Sequence, residues 1–343
     1  MFNTDAIQTS TLYRCFFRCR AFAETVNSSR MTPIRIFLPP SFLPFLLTAL
    51  SLSPLAAMHA AEKPEGTLSS GEYFIRQSWS QEQDFSRPYH VHVPANPDRR
   101  KLPVFLFLHG NGGNARASMP AFLRQHPVMA ARYVMVFPQG YQNSWNISAE
   151  RSQAGDRLFI DAIVDTLAAC DNVDPDQFTV MGVSNGAALV NQLAIETQLP
   201  NFRHYVTAVS PLNDLQHDGR NFKAKGDDNG YETIVTPRTG ARILTISGSE
   251  DHLVPYYGGP SPVIPAKNGK LGFVAAEESI FIWAKAMGYR GAKLEKPSRI
   301  DGKLEFFSYL NGTVVHCKVV GEGHGAAGAI DEATLLRFLE HQP

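Results

Sequence analysis

The sequence has no excess of charge of either sign, because 32 lysine and arginine residues are balanced by 32 aspartate and glutamate residues. Proteins that bind nucleic acid or an anionic membrane surface electrostatically carry a basic excess, so we expect neither as a partner. Four cysteines in 343 residues are too few for a disulfide scaffold. No internal repeat or long low-complexity tract is visible. The composition is that of an ordinary soluble globular protein.

The cysteines predict no metal site. Cys15 and Cys19 lie near the N-terminus without a neighbouring His or Cys that could complete a zinc site. Cys170 and Cys317 are far apart along the chain. They either pair in an oxidising compartment or remain buried free thiols, and the sequence leaves both alternatives open.

The first sixty residues differ in character from the rest. A short basic segment, residues 31–35, precedes an apolar run over residues 36–55, and small residues follow it. This order is typical of a secretory signal. The alternative is a membrane anchor, but a spanning helix would be interrupted by Pro39, Pro40, Pro44 and Pro54. We therefore expect residues 1–61 to be a leader, with Met31 as an alternative start. Residues 62–343 would form one domain, secreted or periplasmic and without stable membrane association.

Hydrophobic periodicity changes along this domain. Residues 72–79 and 87–93 alternate apolar and polar side chains, which predicts antiparallel strands with one wetted face. Continuous apolar runs are typical of strands buried on both faces. They cover residues 103–108, 133–137, 205–209 and 241–246, and another such run leads up to Ser184. Two further strands are predicted at residues 304–309 and 313–320. Helices are predicted at residues 118–131 with Ser118 as cap, from Asp156 onward, and at residues 187–198, 274–287 and 331–339.

This alternation predicts an α/β protein with a mostly parallel central sheet, helices on both faces and antiparallel strands at the N-terminal side. Residues 212–240 are polar and charged with little periodicity, and they indicate a surface insertion or a small cap. Ligands bind such sheets beyond the carboxyl ends of the strands. His109, Ser184, Asp251 and His324 each follow the end of a predicted strand, so these side chains are expected at one edge.

The central motif of the domain is Gly-x-Ser-x-Gly at residues 182–186. An apolar run leads into it and a helix-forming run leaves it. This context is typical of a nucleophile elbow, where a sharp turn presents a strained serine. The two glycines are needed because the turn brings backbone segments too close for a Cβ. Ser184 is therefore the candidate nucleophile.

A serine nucleophile needs a base and an acid. Histidine accepts the hydroxyl proton, and a carboxylate orients the imidazole and stabilises its charged form. After a nucleophile elbow these partners follow in the chain order Ser, Asp or Glu, His. Ser184, Asp251 and His324 fit this order, and Glu250 is the alternative to Asp251.

The oxyanion formed on attack requires amide donors aimed at it. We expect one from Asn185, at the start of the helix after the elbow. The second is expected from the glycine-rich loop at residues 109–113, from either Asn111 or Gly112. Three aromatic residues lie on loops at the same edge, where they either line an acyl pocket or serve ordinary packing: Trp145, Tyr256 and Tyr257.

Taken together, these motifs resemble secreted polyhydroxybutyrate depolymerases and feruloyl esterase-type α/β-hydrolases. The resemblance covers about residue 88 to the C-terminus, and the joint order of motifs carries it. The motifs that carry the resemblance are the loop at residues 109–113, Trp145-Asn146, Cys170 with residues 173–175, the elbow, residues 251–256 and Gly323-His324. The resemblance implies a serine esterase without metal or organic cofactor. Two departures bear on the substrate: residues 325–328 stand where such proteins often carry Trp-Pro, and residues 212–240 have no clear match.

The sequence thus predicts an exported serine esterase that acts through an acyl-enzyme, on polyhydroxyalkanoates or on feruloyl or acetyl esters of polysaccharides. The substrate can be small or polymeric. One alternative is a serine peptidase on the same fold. The other is a hydrolase-fold binding protein without activity, although such proteins usually lack a triad member.

Overall fold

The computed structural model describes residues 66–95 and 100–340, so the predicted leader lies outside the described residues. In chain order the strands are β1 Gly71–Trp79, β2 Glu82–His92, β3 Leu102–Leu108, β4 Val134–Pro138, β5 Val173–Val183, β6 Phe202–Ala208, β7 Phe222–Ala224, β8 Thr233–Val235, β9 Arg242–Gly248, β10 Gly259–Ala266, β11 Gly269–Phe273, β12 Arg299–Asp301, β13 Leu304–Tyr309 and β14 Val314–Val319. The helices are α1 Ala115–Gln125, α2 Pro127–Arg132, α3 Asp156–Ala168, α4 Asn185–Glu196, α5 Ala276–Ala286 and α6 Glu332–Glu340.

The strand order confirms the predicted fold class. Within the described residues, ten strands form one sheet in the order β1-β2-β4-β3-β5-β6-β9-β14-β13-β12. The pairs that join β4, β3, β5, β6, β9 and β14 are parallel. Strand β2 is antiparallel to both of its neighbours. The chain therefore has the α/β-hydrolase fold.

Side chains on the central strands alternate between two cores, one on each face of the sheet. Val104 and Leu106 pack in one core with residues of α3, α4 and α5, such as Phe159. Phe105 packs in the other core with residues of α1 and α6, such as Phe122. This double burial explains why the strand sequences are continuously apolar. No helix within the described ranges is long and apolar enough to cross a membrane.

The helix predicted at residues 118–131 is two helices, and its predicted cap is wrong. Asn114 caps α1, because its Oδ1 accepts a hydrogen bond from the amide of Ala117 at 2.8 Å. The break comes at Pro127, which starts α2 and has no amide hydrogen to continue α1. Cys170 and Cys317 are buried and are not joined in a disulfide, which resolves the alternatives left by the sequence.

The predicted insertion at residues 212–240 contains the hairpin β7–β8, and a second hairpin, β10–β11, follows strand β9. The insertion is not confined to the surface. Lys225, Asn229 and Tyr231 are each less than 10% exposed. Asn229 and Tyr231 are buried because they bind the segment that follows β4, which forms part of the site, and Lys225 donates in turn to Asn229 Oδ1 at 2.8 Å.

Candidate active site

Ser184 lies at the turn between β5 and α4, in a conformation that few non-glycine residues adopt. Its φ and ψ angles are 54° and −118°. Its amide donates a hydrogen bond to the carbonyl of Ala208 on β6 at 2.8 Å. A positive φ at such a residue costs on the order of 1–3 kcal/mol, so the neighbouring strand and helix must hold the turn in place.

The two glycines of the motif permit the approach of backbone segments on which the turn depends. A Cβ on Gly182 would lie 2.3 Å from the carbonyl carbon of Gly186. A Cβ on Gly186 would lie 2.4 Å from the carbonyl oxygen of Leu108 at the end of β3. Both distances are far inside van der Waals contact, and both involve backbone atoms that cannot swing away.

His324 and Asp251 complete a hydrogen-bonded chain from Ser184. His324 Nε2 lies 2.9 Å from Ser184 Oγ, and His324 Nδ1 lies 2.8 Å from Asp251 Oδ2. A carboxylate can only accept, so Nδ1 carries the proton and Nε2 accepts from the serine hydroxyl. The ring is therefore in the tautomer that suits a general base.

Backbone contacts position the carboxylate. Asp251 is 4% exposed, and its other oxygen, Oδ1, accepts from the amides of Leu253 and Val254 at 2.9 and 3.0 Å. Glu250 is exposed, and no hydrogen bond or ion pair of its side chain is found among the described residues. Its amide instead donates to the carbonyl of Glu322 at 2.9 Å, next to the histidine loop. The structure thus places Asp251, and not Glu250, against His324.

The geometry also separates the candidate oxyanion donors. The amide of Gly112 already donates to the carbonyl of Asn143 at 2.7 Å, so of the two alternatives left by the sequence Asn111 is the one whose amide is available. The amides of Asn111 and Asn185 donate to no protein acceptor among the described residues, and both residues line the cavity beside Ser184. First-turn amides such as that of Asn185 are free in any helix. Asn111 and Asn185 remain the two available donors.

His109 holds the loop that carries Asn111. Its Nε2 accepts from the amide of Gly140 at 3.1 Å, and its Nδ1 therefore donates to the carbonyl of Gly110 at 2.7 Å. Burial lowers the pKa of His109, which keeps the ring neutral in this arrangement. Gln139 also donates to the ring, at 3.2 Å, and accepts from the amide of Ala115 at the start of α1.

Trp145 does not line the cavity, so of the two alternatives left by the sequence its ring serves packing. Its side chain is fully buried and its indole nitrogen donates to the carbonyl of His109 at 2.8 Å. The two rings lie 4.9 Å apart between centroids. Trp145 therefore packs behind the oxyanion loop and supports it.

Tyr256 and Tyr257 also lie outside the cavity wall, so neither takes the alternative of lining an acyl pocket. Tyr256 is 3% exposed, and its hydroxyl donates to Glu277 at 2.9 Å and lies 3.1 Å from Nε2 of His316. This anchors the end of the loop that carries Asp251. Tyr257 is 78% exposed and is not among the residues that line the cavity.

The cavity beside Ser184 and His324 has a volume of about 650 Å³. Part of its lining is polar and comes from the segment after β4, with Gln142, Asn143, Ser144, Glu150 and Arg151. Another part is apolar and comes from the β10–β11 hairpin, with Val263, Ile264, Pro265, Leu271 and Phe273. The site therefore offers both hydrogen-bonding and hydrophobic surface to a ligand.

The polar part of the lining is held by a buried ion pair. Arg87 donates to Asp156 at 2.6 Å, and both side chains are almost fully buried. The second carboxylate oxygen of Asp156 accepts from the amide of Asn146 at 2.6 Å. Helix α3 begins at Asp156, as the sequence predicts, but Asp156 does not cap it, because Gly155 is at the cap position and the carboxylate binds Arg87 and the amide of Asn146.

The insertion at residues 212–240 supports the same segment. Asn229 donates to Asn146 Oδ1 at 2.6 Å and to the carbonyl of Ser148 at 2.9 Å. The hydroxyl of Tyr231 donates to the carbonyl of Ile147 at 2.7 Å. The insertion thus fixes the position of the polar cavity wall.

Two features of the site escaped the sequence analysis, namely Glu150 and the β10–β11 hairpin. Glu150 lines the cavity, and burial raises the pKa of its carboxyl. No local pattern signals such a residue, whereas Asn268-Gly269, a dipeptide typical of tight hairpin turns, could have suggested the hairpin. Among the described residues, no group of three or more His, Cys, Asp or Glu side chains could hold a metal ion.

Comparisons with known proteins give distant similarities. No protein-family profile matches the chain. An alignment of 167 residues with the putative esterase NocK of Nocardia uniformis subsp. tsuyamanensis has 26% identity and covers 46% of this chain and 46% of that relative. The match therefore spans about half the length of the relative.

Two solved structures are similar over most of their length. The acetyl xylan esterase from Aspergillus awamori has a TM-score of 0.48 and 13% identity, over 74% of this chain and 94% of that chain. The apo form of Thermogutta terrifontis esterase 2 has a TM-score of 0.46 and 15% identity, over 81% of this chain and 92% of that chain. The assignment of the fold rests on the strand order and the parallel pairing of this chain's own sheet.

Proposed function

We propose that this protein is a serine esterase that hydrolyses carboxylic esters through an acyl-enzyme on Ser184. The observation that carries the proposal is the hydrogen-bonded chain from Ser184 through His324 to Asp251, which opens onto a cavity beside two free amides. The name of the aligned relative, a putative esterase, agrees with this chemistry.

The first half of the reaction follows from this geometry. Ser184 Oγ attacks the carbonyl carbon while its proton passes to His324 Nε2. The carbonyl oxygen becomes an oxyanion that accepts hydrogen bonds from the amides of Asn185 and Asn111. When the tetrahedral intermediate collapses, the bond to the alcohol oxygen breaks, and His324 gives its proton to the leaving alcohol. The acyl group remains on Ser184 as an ester.

Water completes the cycle by the same steps. His324 takes a proton from the water, whose oxygen attacks the acyl carbon, and the second tetrahedral intermediate releases the acid and restores the Ser184 hydroxyl. Asp251 stays ionised throughout and stabilises the imidazolium each time it forms.

We further propose that the substrates are polyhydroxyalkanoates or feruloyl or acetyl esters of polysaccharides. The cavity supports this substrate range because it combines the apolar surface of the β10–β11 hairpin with the polar segment after β4. A panel of hydroxybutyrate oligomers, feruloyl esters and acetylated xylan separates the candidates.

We also propose that residues 1–61 are removed on export. N-terminal sequencing of secreted protein should then begin between about Met58 and Glu62, whereas an intact N-terminus in a membrane fraction would indicate an anchor.

The decisive experiment is the Ser184→Ala variant, assayed with a chromogenic short-chain ester. Loss of a triad member lowers turnover by several orders of magnitude, while the fold should remain intact. Ser298→Ala is the matched control, because the Ser298 hydroxyl accepts a hydrogen bond from the amide of Ser308 on β13 and has no part in the proposed site. Full activity in purified Ser184→Ala would contradict the proposal. Turnover of an amide with the same acyl group would favour the peptidase alternative, and no turnover by the wild type would favour the binding protein.

A further inference from the structure

The carboxylate of Glu150 is bound by three donors at the edge of the cavity. Its Oε2 accepts from the amides of Ile147 and Ser148 at 2.9 and 2.6 Å. Its Oε1 accepts from Nδ2 of Asn185 at 3.1 Å. The carboxylate therefore ties the segment after β4 to the residue that directly follows the nucleophile.

Asn185 makes a second connection to the same segment. Its Oδ1 accepts from the amide of Trp145 at 2.7 Å, and its Nδ2 donates to the carbonyl of Trp145 at 3.0 Å. The side chain of Asn185 thus forms a closed pair of hydrogen bonds with the backbone of one residue. The hydroxyl of Ser144 also donates to Oδ1 at 3.3 Å, and with Glu150 these contacts hold the start of α4 to a segment that lies 35 residues or more earlier in the chain.

The side chain of Asn185 and its amide have different tasks. The amide is the proposed oxyanion donor, and its direction depends on how the first residue of α4 is held. Donors aimed at the oxyanion contribute most when they need no reorganisation during the reaction. Because the side chain fixes that residue from outside the helix, the hydrogen bonds of the side chain determine how firmly the amide is aimed.

We propose that Glu150 is a positioning residue that aims the Asn185 amide at the oxyanion through the Asn185 side chain. The inference rests on the proposed esterase function and extends it to a residue that does not touch the reacting atoms. Glu150 acts on the transition state, in which the oxyanion exists, and much less on the ground-state ester.

The Glu150→Gln variant tests this role because glutamine has the same shape but only one acceptor oxygen. Its amide group must face either the two backbone amides or Nδ2 of Asn185, and in both cases donor meets donor. A misplacement of the oxyanion donor should lower kcat by about 10- to 100-fold, with KM for a short-chain ester within about 3-fold. A trifluoromethyl ketone, which forms a tetrahedral adduct with the serine, should bind more weakly by the same factor as kcat/KM falls.

Two further variants separate positioning from simple stabilisation of the loop. Asn185→Ala keeps the amide but removes the side chain, so it should reproduce the kcat effect, and the double variant Glu150→Gln/Asn185→Ala should be no worse than either single one. Glu332→Gln is the matched control, since Glu332 accepts from the amide of Met129 at 2.7 Å far along the chain from the elbow. It should lower the melting temperature without changing kcat.

Several outcomes would overturn the proposal. They are a rise in KM with unchanged kcat in Glu150→Gln, unchanged affinity for the ketone, or strictly multiplicative effects in the double variant. If Glu150→Gln does not fold, an unchanged kcat in Asn185→Ala overturns it equally. Failure of the esterase proposal itself is recognised separately, because Ser184→Ala would then retain the wild-type rate.

Discussion

Asp251 Oδ2 lies 2.8 Å from Nδ1 of His324 although 73 positions separate the two residues in the chain. The loops that carry them are brought together by Gly248, where a Cβ would lie 2.2 Å from the carbonyl oxygen of Glu322. The amide of Glu250 donates to that same carbonyl. Glu250 thereby joins the two loops through its backbone, while Asp251 contributes its side chain.

This arrangement predicts different outcomes for two adjacent substitutions. Asp251→Asn preserves the shape of the side chain but favours the wrong tautomer of His324, so turnover should fall by roughly 10⁴-fold with little loss of stability. Glu250→Gln alters an exposed side chain and leaves its amide in place, so activity should stay within a few-fold of wild type. Both variants are assayed against one chromogenic ester. If Glu250→Gln is the inactive one, the acid is misassigned.

A second prediction concerns the elbow. Gly186→Ala should lower the free energy of unfolding by about 3 kcal/mol or more, at the upper end of overpacking effects, because its Cβ would press on the backbone of Leu108. Gly328→Ala is the control, since a Cβ there meets no atom within 4 Å. Urea unfolding of the two variants measures the difference. Equal stability of both would show that the elbow can relax.

The arrangement of the site was predictable from the sequence where it follows from the sheet. Parallel strands end at one edge, so residues placed after such strands must converge there. Ser184, Asp251 and His324 were identified in this way. The same reasoning predicted the oxyanion loop but could not choose between Asn111 and Gly112. The choice depends on the hydrogen bond that the amide of Gly112 donates to the carbonyl of Asn143, a residue of another loop.

The parts that the sequence did not predict depend on contacts between segments far apart in the chain. Trp145 and Tyr256 lie on loops at the correct edge, yet their rings face the interior, and nothing local distinguishes this from a ring that faces the cavity. Asn229 donates to the backbone carbonyl of Ser148 across 81 positions. Polar side chains that bind backbone in this way leave no periodic signal, so residues 212–240 appear from sequence to be a surface insertion.

A third prediction concerns acid stability. Burial, together with nearby cationic side chains, lowers the pKa of His204 to about 4 and that of His316 to about 3, from an ordinary value of 6.5. On unfolding, both rings take up a proton below pH 6.5, whereas in the folded state they stay neutral. The unfolded state therefore binds more protons, and stability is lost as the pH falls through this range.

Between pH 6.5 and about 4, each of these histidines should reduce the free energy of unfolding by about 1.4 kcal/mol per pH unit. Urea unfolding at several pH values measures the slope. His204→Gln should remove one histidine's share of it. A slope that is the same in His204→Gln as in the wild type would show that His204 already takes up its proton in the folded protein.

The last prediction tests whether the β10–β11 hairpin contacts the substrate. Val263 lines the cavity and yet is 55% exposed, so Val263→Ser should change stability little while it removes apolar surface from the wall. Lost burial of about 1 kcal/mol corresponds to a fall of about fivefold in kcat/KM for esters with long acyl chains. Acetyl esters, whose acyl group carries only a methyl, should be hydrolysed as before if the hairpin contacts the distal part of the acyl chain. Ile300→Ser is the matched control, because Ile300 is 63% exposed on β12, at the far edge of the sheet. An equal effect of Val263→Ser on long and short acyl chains would show that the hairpin does not contact the acyl group.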